Sequence, residues 1–375
     1  MRATIAGYGS VSAAGGSSSV ITDTYRRGRA RWKADDQTGL PVFPVHDLPE
    51  RKEIASFCAA RSADPAGLLA LHAAEEAVHR AGWQGKDFSI LVGCSRGPTT
   101  AWESTYEEFL REGQAPMRTS PRTTLGSLAF LLADYFETTE VATGMSVTCS
   151  SGHHAILHGV ALLQAGVTDR VLVGGAEAPL TPFTLRQMEA LRVYARAEPD
   201  DRYPVRPFSD PATGMALGEG AAFLALTRPG SEGMFQLDGI GFARERHRSP
   251  TGISRDGAAL QQAMRSLGEQ TERIPEVVLA HAPGTQRGDR AEAAAIRAVF
   301  GASVPTIGSF KWATGHTFGA SGPLATTAAL AMLEAEEYWS LPYTEAPIPA
   351  KPVRSVMINA TGFGGNALSI SVSRR

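Results

Sequence analysis

Apolar residues along this chain fall into short, nearly continuous blocks and into longer stretches at helical spacing. Ala3 to Tyr8, Ser89 to Cys94, Arg170 to Glu177, Gly218 to Leu226, Glu276 to His281 and Ser355 to Asn359 are of the first kind. Unbroken apolar runs of this length predict strands covered on both faces, as in α/β sheets. Met234 to Arg244 and Thr306 to Lys311 are read as further strands. Helical spacing predicts a helix capped by Asp64 with Pro65 in its first turn, running through Leu68, Leu71, Ala74 and Val78 and closing at Gly82. Further helices are expected over Leu125 to Tyr135, from Gly152 to near Gly166, over Met188 to Ala195, and from near Gly319 through Leu333. Arg26 to Arg51, with prolines at 41, 44 and 49, and Glu198 to Ser209 read as loop.

The order of these elements repeats. A strand (Ser89 to Cys94), a strand-turn-helix unit around Cys149 and a strand ending in Gly174-Gly175 are matched by Glu276 to His281, the unit from Thr306 to Leu333, and Ser355 to Asn359 ending in a glycine turn at 362–365. The recurrence implies two related α/β halves, residues 1–230 and 231–375, divided near Thr227-Arg228-Pro229-Gly230-Ser231.

Composition narrows the possibilities. With 375 residues, 43% hydrophobic and 20% charged, the chain can bury a large core. A formal net charge of -2 with no long basic run argues against nucleic-acid binding. Three well-separated cysteines, Cys58, Cys94 and Cys149, suit a reducing compartment rather than a disulfide framework. No window is long and apolar enough to span a bilayer, and the N-terminal apolar stretch is too short for a signal peptide, so a soluble cytoplasmic protein is expected. Gly7-Tyr8-Gly9 lacks the third glycine and the placed acidic residue of a dinucleotide loop.

Chemistry concentrates at Cys149. The stretch Gly144 to Gly152 reads as a short buried strand and a Ser/Gly turn, followed by an apolar helix, which puts the thiol where strand hands over to helix. A helix N-terminus favours thiolate and lowers a thiol pKa from about 8.5 towards about 7. The competing reading is a buried small hydrophobe. His281 and His316 favour the chemical one, since each ends an apolar strand beside small residues in the half that lacks Cys149. His154 and His158 share a helix face at metal-ligand spacing, but with no glutamate between them and no third ligand they are read as packing, and no metal is expected.

On these residues the chain resembles the β-ketoacyl-acyl-carrier-protein synthases of the Cys-His-His type, condensing enzymes on the thiolase fold. The matching motifs are Thr148 to Gly152, Val173 to Glu177, Arg206-Pro207-Phe208 with Gly218-Glu219-Gly220, His281 to Glu292, Lys311 to Gly322 and Gly362 to Asn366. The resemblance implies an α/β thiolase-like fold of two halves in a layered αβαβα arrangement. It implies a decarboxylative Claisen condensation of an acyl thioester held on Cys149 with malonyl-acyl-carrier protein, in fatty-acid or type II polyketide synthesis. Backbone N–H groups of Cys149 and Phe363 would hold the oxyanion, and His281 and His316 the enolate. Lys311 would pair with Glu292 and so fix His316. Phe363 is a candidate gate, and Thr285 and Gly364 are candidate substrate contacts. No cofactor is implied beyond the phosphopantetheine on which an acyl carrier protein presents the substrates. The strand leading to Cys149 would pair with its counterpart in a homodimer, or in a heterodimer with a related subunit.

Three departures concern the carrier arm and the chain pocket. Pro283 stands where the family has threonine, Ser209 where it has aspartate and Thr361 where it has phenylalanine. Two other readings are a thioesterase and a chain-length-factor-like partner subunit. Such partners typically lack the cysteine, whereas this chain keeps Cys149, His281 and His316.

Overall fold

The computed structural model describes residues 1–375 except 86, 247, 248, 250, 272 and 346–351. Ten strands build its large sheet: β1 (Ala3–Ser12), β2 (Ser89–Gly93), β3 (Ala142–Met145), β4 (Arg170–Glu177), β5 (Gly220–Thr227), β6 (Phe235–Arg244), β7 (Val277–Leu279), β8 (Thr306–Gly308), β9 (Ser355–Gly362) and β10 (Asn366–Arg374). Their order is β8-β7-β9-β10-β6-β1-β5-β4-β2-β3. From the middle outwards each set of five follows one plan, 6-10-9-7-8 on one side and 1-5-4-2-3 on the other. The pairing sense matches too: β1 with β5, and β6 with β10, run antiparallel, whereas β4-β2-β3 and β9-β7-β8 are parallel. The two sets meet where Ala3 to Ile5 pair with Phe235 to Leu237.

Eight helices matter for the site: α1 (Pro65–Arg80), α2 (Thr99–Glu112), α3 (Ser127–Phe136), α4 (Ser151–Gln164), α5 (Pro182–Glu189), α6 (Ala258–Gly268), α7 (Gln286–Phe300) and α8 (Ser321–Ala335). Alternation along the strands sorts them into layers. Leu91, Val171 and Val173 from one set, with Val356, Ile358 and Leu368 from the other, pack on Ile156 and Val160 of α4 and Leu330 and Leu333 of α8. The intervening Ile90, Val92 and Leu172 face α1 and α3, while Val278 and Met357 face α6 and α7. The result is the αβαβα sandwich of the thiolase-like fold, with α4 and α8 as its middle layer.

These two central helices meet at small residues. A Cβ on Gly152 would lie 2.3 Å from Pro323 Cγ and 2.5 Å from the Gly319 carbonyl oxygen, and one on Gly175 would lie 2.7 Å from that same oxygen. Only a residue without Cβ fits such an approach. The Asp64 cap forms as its position suggests, Oδ1 accepting from the Ala66 N–H at 2.9 Å, and Oδ2 accepts from Ala101 N–H at 2.9 Å, tying α1 to α2.

Three sequence expectations need correction. The strand before Cys149 is not buried: β3 is the outermost strand, paired on one edge with β2, and its residues are half-buried or exposed. An apolar strand is expected to be covered, but no described strand of the chain lies beyond this edge. The helix expected over Met188 to Ala195 lies earlier, at Pro182–Glu189, because Pro182 suits a first helical turn. The chain then breaks at Arg192, whose φ is +58°, and Tyr194 is held by its hydroxyl, which donates to Pro41 O and accepts from Leu217 N–H. The loop from Arg26 to Arg51 contains the short strands Lys33–Ala34 and Pro41–Phe43, which with Leu217–Gly218 form a small second sheet.

The close approach at Gly152 makes a prediction. Gly152→Ala gains about 1 kcal/mol of helix propensity. Forcing a methyl against the Gly319 backbone costs about 1–3 kcal/mol and should outweigh it. The midpoint of urea unfolding should therefore fall; an unchanged or raised midpoint contradicts this account of the helix contact.

Candidate active site

Cys149 follows β3 by four residues and precedes α4, whose N-cap is Ser150. The turn between them is held by its own side chains. Ser151 Oγ accepts from Val147 N–H at 2.8 Å and donates to Thr148 O at 2.5 Å, and Ser150 Oγ donates to Val147 O at 2.8 Å. Thr148 takes a φ of +51°, costly for a β-branched residue and of a kind that collects at functional sites. The turn 362–365 lies against it: a Cβ on Gly362 would lie 2.2 Å from Thr148 Oγ1, and that hydroxyl donates to Phe363 O at 3.4 Å.

From the other half, β7 delivers His281 and the short helix 311–314 delivers His316. Their rings stand 5.1 Å apart at an interplanar angle of 83°. Cys149, His281 and His316 all open on one cavity of about 620 Å³, with Phe318, Thr361, Gly362, Phe363, Pro283, Thr285 and Asn366 also in its walls.

The side chains that hold these histidines differ from the expected ones. Lys311 and Glu292 do not form an ion pair that fixes His316. Both instead grip the His281 peptide and its neighbour: Glu292 accepts from the His281 N–H at 2.9 Å and from the Ala282 N–H at 2.8 Å, and Lys311 Nζ donates to the His281 carbonyl. Asn359 Nδ2 donates to Glu292 at 3.1 Å. A fully buried lysine and glutamate meet the cost of burial better through aligned peptide dipoles and hydrogen bonds than through one direct contact. His316 is placed by Ser321, whose Oγ lies 3.0 Å from Nδ1. A ring accepting there from the hydroxyl carries its proton on Nε2.

Electrostatics correct the expected thiol. Burial pushes Cys149 up to about 12, the carboxylate of Glu177 adds to the rise, and Lys311 and Arg96 only partly oppose it. The helix N-terminus does not outweigh loss of water, so the resting cysteine is a thiol. Burial, seconded by the charge of Lys311, holds both His281 and His316 well below the ordinary histidine range, so both are neutral. Burial also brings Lys311 down to about 8, with Glu292 pulling the other way.

Thr285 and Phe363 lie on the cavity as expected. Gly364 does not: its φ of +83° turns its carbonyl to Arg244 Nε at 3.0 Å, and Gly362, Gly365 and Asn366 supply the wall instead. His154 and His158 are turned to their own helix, with Nδ1 atoms 3.2 Å from Ser150 O and 2.7 Å from His154 O. Among the described residues no group of three or more His, Cys, Asp or Glu could hold a metal.

Three residues that hold the site together carry little signal in the sequence. Asp289 accepts from Phe208 N–H at 2.8 Å and Gly284 N–H at 3.1 Å, joining the Arg206-Pro207-Phe208 loop to the His281 turn, and burial raises it to about 7. Its position four residues after Thr285 in a first helical turn was the available signal. Ser321 had none. Glu177, fully buried at the end of β4, accepts from the backbone N–H groups of Ser95 and Gly319 and is raised by burial to about 7.

The family model described as the β-ketoacyl synthase N-terminal domain matches residues 14–230, and that for the C-terminal domain matches residues 235–339. The chain belongs to the β-ketoacyl synthase family. It is thereby placed among condensing, acyl-transferring enzymes. Nodulation protein E of Rhizobium leguminosarum bv. trifolii is 30% identical over 313 residues, 79% of this chain and 74% of the relative. A type II polyketide synthase acyl-carrier protein in complex with its ketosynthase bound to the hexaketide superposes with a TM-score of 0.86 at 19% identity, covering 100% of this chain and 99% of the other. The ishigamide ketosynthase/chain length factor does so at 0.85 and 23%, with coverage of 100% and 99%. Both likenesses are of fold.

In this β-ketoacyl synthase the position of Glu177 sets a test. Above its own titration near 7 the carboxylate opposes thiolate formation, so Glu177→Gln should lower the Cys149 pKa. Alkylation by iodoacetamide, read on the Cys149 peptide by mass spectrometry, should rise without plateau from about pH 7 to about pH 10 in the parent and be faster at each alkaline pH in the variant. Equal rates would remove Glu177 from the account of the thiol.

Proposed function

We propose that this chain is a 3-oxoacyl-[acyl-carrier-protein] synthase, working in fatty-acid or type II polyketide synthesis. The observation that carries the reading is one cavity, closed by both halves, onto which a cysteine and two neutral histidines open. In the first half-reaction Cys149 Sγ attacks the acyl thioester. The new C–S bond forms, the bond to the pantetheine sulfur breaks, and the thiol proton passes to that departing sulfur. The tetrahedral oxyanion is held by N–H groups of Cys149 and Phe363. Malonyl on a second pantetheine then loses carbon dioxide, its electron pair moving into an enolate whose oxygen accepts from His281 and His316. The enolate carbon attacks the acyl carbon, and Cys149 departs and regains a proton.

Two neutral donors suit one developing negative charge, and burial, seconded by the nearby charge of Lys311, keeps both imidazoles neutral. Phe363 serves as gate, since Gly364 and Gly365 at positive φ beside it lower the backbone cost of movement. An acyl carrier protein supplies both thioesters on its phosphopantetheine, whose arm passes Thr285, with no further cofactor.

A second subunit completes the reading. Around the open edge of β3, α2 exposes Trp102, Tyr106, Phe109 and Leu110, and Leu125, Phe130 and Val141 are exposed on or beside α3 and β3. Such a concentration of apolar surface on a sheet edge marks an interface. The partner is a second copy or a related subunit, as a ketosynthase has in the ishigamide pair. The latter arrangement leaves the alternative that this chain is itself the chain-length-factor-like member, a role that its cysteine and two histidines make less economical.

Incubation with an acyl-carrier protein should add one acyl mass to the Cys149 peptide. His281→Ala and His316→Ala should still become acylated while condensation falls at least about a hundredfold. An unmodified Cys149 beside full condensation would end the reading. Light scattering should give twice the 39.7 kDa of the chain, or a stable pair on co-expression with a related subunit. A monomer that condenses with undiminished specific activity on dilution rules the interface out.

A further inference from the structure

A second cavity, of about 470 Å³, shares no wall residue with the one that holds Cys149. It lies where the helix Ser18–Arg26 ends, between residues 202–203 and the segment 337–342 that follows α8. Three guanidiniums, those of Arg26, Arg27 and Arg202, stand in its wall against one carboxylate, Glu337. Arg26 Nε donates to Glu337 at 2.9 Å and Arg27 Nε to Asp23 at 2.8 Å, which leaves the Nη atoms of both without a hydrogen bond among the described residues. Arg202 makes no ion pair among them, and its Nη2 donates only to the Gly28 carbonyl at 3.4 Å. The last carbonyls of the helix, which would repel an anion, already accept from the Arg27, Gly28 and Arg29 N–H groups.

One phenol of the wall has no partner. Tyr25 is 3% exposed, and its hydroxyl makes no hydrogen bond among the described residues although it keeps accessible surface. A buried tyrosine hydroxyl ordinarily finds a partner. Burial pushes the pKa of Tyr25 up, so the phenol stays protonated and can donate. The other two phenols are engaged: Tyr203 donates to the Gly28 carbonyl, and Tyr338 to the Ile307 carbonyl at 3.1 Å. The wall is also fixed before any ligand arrives. Tyr25 stacks on Phe310 with ring centres 4.1 Å apart, and Tyr203 meets the fully buried Trp312 edge-on at 5.8 Å. Little loss of side-chain freedom would oppose binding.

Guanidiniums match phosphate oxygens in pairs, and a dianion engages more of them than one carboxylate can. We propose that this cavity is a second ligand site, which takes a small phosphate monoester whose dianion lies against Arg26, Arg27 and Arg202 and accepts from the Tyr25 hydroxyl. The cavity has the size of a small-molecule pocket, and the rings of Tyr203, Tyr338 and Trp339 receive the organic part. The site is independent of the acylation of Cys149. A plain surface groove held by its ion pairs would prefer no anion over another.

Isothermal titration at about 0.15 M chloride tests it with AMP and ribose 5-phosphate, with adenosine, acetate and sulfate as controls. At least one of the two monoesters should bind with a Kd below about 1 mM, and each control at least about tenfold more weakly. Arg202→Gln and Arg27→Gln should each weaken that binding about tenfold or more, and Tyr25→Phe, which keeps the ring packing, about threefold or more. Thr285→Ala, in the wall of the catalytic cavity, should leave it unchanged. Sulfate or acetate binding as tightly as the monoesters, no monoester binding below about 1 mM, or unchanged affinity in folded Arg202→Gln and Arg27→Gln proteins overturns the proposal. Loss of binding in Thr285→Ala would put the phosphate in the catalytic cavity and overturns it equally.

Discussion

The contact between the two central helices is the constraint on which the site depends. Cys149 belongs to one half and the histidines to the other, so the shared cavity exists only because α4 approaches α8 and the turn before it, Gly152 lying against Gly319 and Pro323. A side chain larger than hydrogen at Gly152 would separate the Cys149 turn from the loop that carries His316 and Phe318. Gly175 at the end of β4 and Gly322 against the His153 ring extend the same contact. The glycines therefore act as spacers, set by what lies opposite each of them and not by a demand for unusual backbone angles.

Buried charge then fixes the geometry within that contact. Glu292 and Lys311 take hold of the N–H and C=O of the His281 peptide, and Asp289 ties Gly284 to Phe208. Each carboxylate is compensated by peptide N–H groups, and that lets it remain in a dry interior. Removing one member of such a set costs about 3–5 kcal/mol because the others are left unpaired. Burial holds the neighbouring imidazoles neutral and the positive charge of Lys311 adds to it, so one residue both positions His281 and reinforces its protonation state.

The same dryness keeps Cys149 protonated. Loss of water acts on the thiol more strongly than the helix terminus beneath it, and Glu177 adds to the effect. A cysteine in this state is protected from casual reaction, because the thiolate is the reactive form.

Much of this was legible along the chain. Unbroken apolar runs marked six of the strands, because strands covered on both faces leave no polar alternation to blur them. The recurring strand and glycine-turn order showed two halves, and Cys149, His281 and His316 stood out by lying among small residues downstream of apolar blocks. Sequence could not show that β3 is an edge, since apolar residues look alike whether covered by the same chain or left for another. Nor could it show the thiol pKa, because the cause is burial by distant segments. The resemblance pointed to Lys311 and Glu292 but not to their shared target, because two side chains 19 positions apart can meet each other or the same peptide, and only packing decides. Arg96 and Gln187 lie 91 positions apart and carry no local signal; their meeting behind Phe318 is a product of the fold alone.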